Sequence, residues 1–169
     1  MTITRESARV LLIGADDRIL LYRGLLLQVE NPPYAWFTPG GGVDPGESLS
    51  QAAARELREE LGHIVAPEEL GTVVATSEGT WSLAGRRYAS RDSYFLLRVD
   101  GLEVDTSGMD EDERAVTDRF EWWPADGLPG GDEPVVPRAL GPLMERLIAG
   151  DLPATPVILP WHLLNDRGA

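Results

Sequence analysis

Apolar and polar positions follow two different periods along this chain, and the switches between them outline its elements. Ala8 to Gly14, ARVLLIG, and Arg18 to Arg23, RILLYR, are short apolar runs separated by Ala15-Asp16-Asp17. That arrangement predicts a hairpin of two core strands. From Gly24 to Tyr34 a leucine run (Leu25, Leu26, Leu27) meets Asn31-Pro32-Pro33, which predicts a loop crossing the surface. Trp36 to Pro39 reads as a short extended piece, because Pro39 holds Thr38 away from helical geometry.

A helical period takes over after three successive glycines, Gly40 to Gly42. Asp44-Pro45-Gly46 makes a turn, and Ser48 or Ser50 can cap a helix that runs to about Leu61. Gly62 is placed to end it in a left-handed conformation. At about 100° per residue, Leu49, Ala53, Leu57 and Leu61 share one sector, while Gln51, Ala54 and Arg58 lie opposite. Glu56 and Glu60 fall within or beside the apolar sector, with Ala52, Arg55 and Glu59 on its flank. Like charges three and four residues apart repel one another, and a partly buried carboxylate needs a partner. Arg55 alone is a small answer to Glu56, Glu59 and Glu60, so the pattern predicts a cation at this helix.

Further on, Leu70 to Thr76, Trp81 to Ser90 about a turn at Gly85, Tyr94 to Val99, and Phe120 to Pro124 read as strands. Gly101 to Asp118 is polar, with Asp110, Glu111, Asp112 and Glu113 in a row, and reads as a disordered or mobile loop. Helical spacing returns near the end despite Pro142, predicting a C-terminal helix from about Ala139 to Ala149. The tail, 150–169, holds three prolines, Trp161 and a leucine pair, and is expected to pack on the body or on a second subunit. This order fits one α/β domain, a mixed sheet covered by helices on both faces.

Composition narrows the chemistry. A chain of 169 residues, 43% hydrophobic and 25% charged, suits one soluble globular domain. No apolar run is long enough for a membrane-spanning helix, and Asp16 and Asp17 end the first apolar segment too early for a secretory signal. Without cysteine there is no disulfide framework and no thiolate metal site. A cytoplasmic enzyme is the expectation. The net charge of -13 argues against duplex nucleic acid as a partner. It leaves room for a small phosphate-containing substrate, because a divalent metal supplies positive charge locally.

The glycine loop and helix resemble the signature of the Nudix hydrolases: a glycine, five residues, Glu, seven residues, then Arg-Glu-apolar-x-Glu-Glu-x-Gly-apolar. Gly41, Glu47, Arg55, Glu56, Leu57, Glu59, Glu60 and Gly62 fall on it without a gap, and only the final aliphatic position departs, being His63. The resemblance implies a single Nudix hydrolase domain over 1–169, an α/β/α sandwich with a mixed β-sheet between helices. It also implies hydrolysis of a nucleoside diphosphate linked to some group X, assisted by Mg²⁺ or Mn²⁺. In this reading Glu56, Glu59, Glu60 and the carbonyl of Gly40 hold the metal, and Arg55 orients a carboxylate through a charged pair with Glu47. The general base is Glu59 or Glu56 on the helix, or Glu113 or Asp118 further along. Arg23, Arg86 and Arg87 are candidates for phosphate contacts, and Trp36, Trp81 or Tyr88 for stacking on a base. Marks of the ADP-ribose, dinucleoside polyphosphate, NADH and coenzyme A branches are missing or partial, so X stays open. The alternative is a catalytically silent module that senses a nucleotide, against which stands the full set of signature carboxylates. The apolar tail and the leucine-rich loop leave room for a homodimer.

Overall fold

Strand β1 (Thr2–Ile13) is the frame on which the rest is assembled, in a computed structural model that describes residues 1–163. Its alternation sends Val10 and Leu12 to one face and Leu11 and Ile13 to the other, and all four are fully buried. β6 (Arg86–Arg98) runs parallel to it along its whole length, from Thr2↔Arg87 to Ile13↔Arg98. The predicted hairpin leads into β2 (Arg18–Leu25), but β1 and β2 pair only at Ile13↔Ile19. Further back, the edge of β1 is taken by β4 (Gly40–Gly42), with Arg9 opposite Gly40. β2 carries instead β3 (Tyr34–Phe37) and β7 (Thr117–Pro124). The sheet therefore parts at the hairpin into two wings. With β5 (Ala75–Leu83), β8 (Val135–Val136) and β9 (Val157–Leu159), its order is β8-β3-β2-β1-β6-β5-β9.

Helices cover both faces, as expected. α1 (Leu49–Leu61) lays Ala52, Ala53, Leu57 and Leu61 on Ala8, Val10, Leu12, Leu20 and Phe95. It starts at a capping box, in which the Ser48 side chain accepts from the Gln51 N–H, and it ends at Gly62 with φ 68°. α3 (Leu140–Ile148) covers the opposite face with Leu140, Leu143, Met144 and Leu147 against Leu11, Ile13, Ile19 and Leu21. Pro142 falls in its first turn, where the missing N–H has no intrahelical acceptor to lose.

Three stretches differ from expectation. Pro67–Leu70 is a 3₁₀ turn and β5 begins only at Ala75, so Leu70 to Thr76 is not a continuous strand. The acidic run is not a structureless loop: Glu111–Val116 forms a short helix, α2. Asp110 Oδ1 accepts from the Glu113 N–H (2.8 Å), and Glu113 Oε2 accepts from the Asp110 N–H (3.1 Å). Carboxylates in the first turn of a helix also face its positive end. The tail adds β9 parallel to β5, with Leu159 buried in the core. Leu164 and the residues after it lie outside the described ones. Among the described residues no helix is long and apolar enough to cross a membrane.

Candidate active site

Two of the three glycines allow close approach, Gly41 to α1 and Gly40 to β1. A Cβ on Gly41 would stand 2.5 Å from Glu56 Oε1, and one on Gly40 would stand 2.2 Å from the carbonyl oxygen of Ala8. Gly40 also has φ +128°, a conformation that an L side chain rarely adopts. Its N–H donates to Glu60 Oε2 at 3.0 Å. Glu56 and Glu60 are each only 6% exposed, on the inner edge that the helical angles indicate.

Arg55 organises the group. Its Nε and Nη2 donate to the two oxygens of Glu47 (2.8 and 3.0 Å), in the forked geometry that guanidinium and carboxylate share. Nη2 also donates to the Gly42 carbonyl (2.8 Å). Nη1 donates to Glu56 Oε1 (2.9 Å) and Glu59 Oε2 (3.2 Å). The Arg55 fork, helped by the Asp44 N–H, holds the Glu47 carboxyl down at about 2.

The inner carboxylates are pushed the other way. Burial raises Glu60 to about 8, although Arg9 and the Gly40 N–H pull it back, while Glu56 and Glu113 add to the rise. Burial also raises Glu56, against the pull of Arg55. Among the described residues no group of three or more His, Asp or Glu side chains stands at metal-holding spacing, and Arg55 bridges Glu56 and Glu59 instead. The donors themselves fit a hard divalent cation. They are carboxylate and carbonyl oxygens, and two of the carboxylates are buried with too little positive charge beside them.

These groups open onto a cavity of about 530 Å³ between the two wings, a volume suited to a small ligand. Glu56, Glu60 and Glu113 line one end, and Trp81, Tyr88 and His162 line another part. Between them lie Arg9 and Tyr22. Arg9 Nη1 donates to the carbonyls of Gly40 (2.9 Å) and Thr38 (3.1 Å) and to the Tyr22 hydroxyl (3.3 Å). Burial works against its charged form, but Tyr22, Asp92 and Glu60 outweigh it and raise its pKa. It is a fixed cation beside the acidic end. Sequence reasoning passed over it, although an arginine inside the apolar run ARVLLIG was the available signal.

Other expected residues fall elsewhere. Glu59 is more exposed than its two neighbours and joins the group through Arg55. Glu113 does reach the cavity, brought there by α2. Arg23 is not free for phosphate: it is paired with Glu133 (3.0 Å) and Asp118 (3.1 Å) and lies 3.7 Å from the Tyr34 ring centroid. Trp36 is not a stacking surface. It is 3% exposed, packs edge-on against Trp123 and donates from Nε1 to Glu133 (3.1 Å). Arg86 and Arg87 sit at the exposed start of β6, outside the cavity lining. Asp118 is tied to Arg23 and Arg119.

An α/β sandwich that seats an acidic helix against a glycine loop defines a class, and comparison with known proteins names it. The NUDIX domain family model matches residues 3–145. The chain belongs to the Nudix hydrolase family. An RNA pyrophosphohydrolase of Caulobacter vibrioides (strain NA1000 / CB15N) is 32% identical over 153 residues, which span 86% of this chain and 84% of that protein. An RNA pyrophosphohydrolase of Novosphingobium aromaticivorans is 31% identical over 136 residues, spanning 74% of this chain and 80% of the relative. A solved NUDIX hydrolase from Nitrosomonas europaea shares the fold with a TM-score of 0.55 at 21% identity, over 88% of this chain and 91% of that one.

Proposed function

We propose that this protein hydrolyses a diphosphate bond in a nucleotide-containing substrate, a nucleoside diphosphate linked to a further group. Glu56, Glu59, Glu60 and the Gly40 carbonyl would hold the Mg²⁺ or Mn²⁺ that the reaction needs. When bound, the cation neutralises charge on the phosphoryl oxygens and lowers the pKa of a water for attack on phosphorus. The observation that carries this reading is the burial of Glu56 and Glu60, 6% exposed each, at the edge of a ligand-sized cavity where Arg55, shared with Glu47 and Glu59, and Arg9 are the nearby cations.

The remaining work falls to this chain's own side chains. Arg55 holds Glu47, Glu56 and Glu59 close together before substrate arrives. Arg9, bonded to the Gly40 carbonyl beside the acidic end, supplies a cation to the diphosphate. Glu113 is the better placed of the two later acids to take a proton from the attacking water, because it lines the cavity while Asp118 is held by Arg23 and Arg119. Glu59 and Glu56 are the candidates on α1.

The relatives named RNA pyrophosphohydrolase add an RNA with a 5′ polyphosphate to the substrates worth testing. With a net charge of -13, such an RNA would be held at its phosphorylated end instead of along its backbone. The test is a panel of nucleoside diphosphate derivatives and one 5′-triphosphorylated RNA, with Mg²⁺ or Mn²⁺, following release of phosphate, pyrophosphate and monophosphate. Metal-dependent turnover of at least one member is expected. No turnover of any would sink the hydrolytic reading and favour a nucleotide-sensing module.

A further inference from the structure

The matched family region ends at residue 145, yet the chain goes on past it to the cavity, which His162 helps to line. β9 pairs with β5 from Ala75↔Val157 to Ser77↔Leu159, and the Ser77 hydroxyl donates to the Pro160 carbonyl. Trp161 then lies directly over Gly79, where a Cβ would come within 2.3 Å of its ring, so β5 is shaped to seat the indole. Strand alternation puts Gly79 on the same face as Trp81, which lines the cavity. His162 packs against Trp161, with ring centroids 4.2 Å apart, and its Nε2 meets Gln28 Oε1 in the loop between β2 and β3. Residues 157–162 thus form a strap that starts on one wing, crosses on the cavity side and fastens to the other wing.

Strand register sets the scale. Arg9 stands opposite both Gly40 and Tyr94, which marks the level of the acidic end on β6. Gly79 stands opposite Ser90, four residues earlier on the same strand. The seat of Trp161 is therefore about 13 Å along the strands from the acidic end. Between the two levels the floor is closed by Ser7 and Asp92, bonded to each other across β1 and β6. Trp81 and Tyr88 lie beyond the strap, a further pair along the ladder, stacked on one another. A group that leaves a diphosphate at the acidic end and runs along the floor meets the strap before it meets them.

We propose that the strap, seated by Trp161 on Gly79 and fastened by His162 to Gln28, is the wall that limits the length of the group carried by the diphosphate. A compact group is held between α1 and the strap, and a polynucleotide is kept out. The inference rests on the placing of the diphosphate at the acidic end, proposed above, and narrows the attached group by size. Of the substrates offered there, a 5′-phosphorylated RNA is the one the wall rejects. Exclusion of this kind works by clash with the longer ligand and needs no added contact to the shorter one. Backbone pairing at β9, a sterically fitted indole and a side-chain bond at the far end give the wall three separate supports.

Two measurements on the full chain test the wall without turnover. The first is calorimetric binding, with Mg²⁺, of the 5′-methylenediphosphates of adenosine and of a tetraadenylate, which share one uncleavable phosphate group and differ in length. The single nucleoside should bind wild type about tenfold or more tightly. Trp161→Ala combined with His162→Ala should shrink that ratio to about threefold or less. Gln28→Ala, which releases only the far fastening, should move it the same way. Burial holds His162 down at about 4, so none of these substitutions changes the charge near pH 7, and a changed ratio reports length alone. Thermal unfolding establishes that each variant is folded. The second measurement needs no nucleotide. Ser7→Cys puts the only thiol of the chain on the cavity floor, on the acidic side of the strap. Relative to the urea-unfolded chain, a polyethylene glycol maleimide should label it about tenfold more slowly than N-ethylmaleimide does. Equal binding of the two ligands to wild type would overturn the proposal, as would an unchanged ratio in both strap variants or equal labelling by the two maleimides. Failure of the hydrolytic reading leaves a different trace: no product release in the substrate panel, with the labelling contrast intact.

Discussion

Helices α1 and α3 cover opposite faces of one sheet, and both bury a stripe at the same helical spacing. α3 fills its stripe with Leu140, Leu143, Met144 and Leu147 alone. α1 places Glu56 and Glu60 among Ala52, Ala53, Leu57 and Leu61. Burying a carboxylate without a full partner opposes folding, whereas each buried leucine favours it by about 1.5–3 kcal/mol. The contrast separates two uses of the same helical geometry: α3 holds the sheet's cover in place, and α1 gives up part of that benefit to present oxygen atoms to a ligand.

Three measurements can break or sharpen this contrast. The largest effect belongs to Glu60→Gln, which should lower metal-dependent hydrolysis by about a hundred- to a thousandfold, the scale of removing one transition-state contact. In the absence of metal the variant should unfold at the same urea concentration as wild type or a higher one. Full activity in both Glu60→Gln and Glu59→Gln would place the metal elsewhere. Leu147→Ala should do the reverse, costing about 3 kcal/mol in urea titrations while leaving kcat per folded molecule within a factor of about two.

The third and smallest effect is a pH dependence. Folded Glu60 keeps its proton up to about 8, whereas its ordinary value is 4.5. The unfolded chain therefore binds fewer protons between those values, and the metal-free protein should lose stability as pH rises through that window. The loss should be on the order of 1–2 kcal/mol once relaxation and solvent screening are allowed for. Glu60→Gln should flatten the curve, and a slope that is unchanged in that variant would remove Glu60 as its source. Saturating Mg²⁺ should offset the loss by favouring the deprotonated folded state.

Much of α1 was legible because its determinants are local. Ser48, Gly62 and the angular positions of Glu56 and Glu60 are all fixed within a span that a single helix controls. The acidic run was misread for a related reason. Asp110 and Glu113 carry the spacing of a capping box, but four like charges in a row masked it. Arg9, Asp92 and His162 come together only through strand pairings between distant parts of the chain, and no local period announces them. Trp36 misled in the opposite direction: an aromatic beside the signature looked available, and the core had already taken it.

The parallel pairing of β9 with β5 also bears on how the molecule is made. Val157 lies opposite Ala75, so this contact joins residues far apart in sequence and can form only after Val157–Leu159 has been synthesised. Until then β5 presents an unpaired sheet edge at Ala75 to Ser77, the kind of edge that recruits strands from other chains. The strand that seals this edge is thus made long after the one it covers. Termination before Val157 would leave a protein with its acidic helix already seated but its sheet open to aggregation.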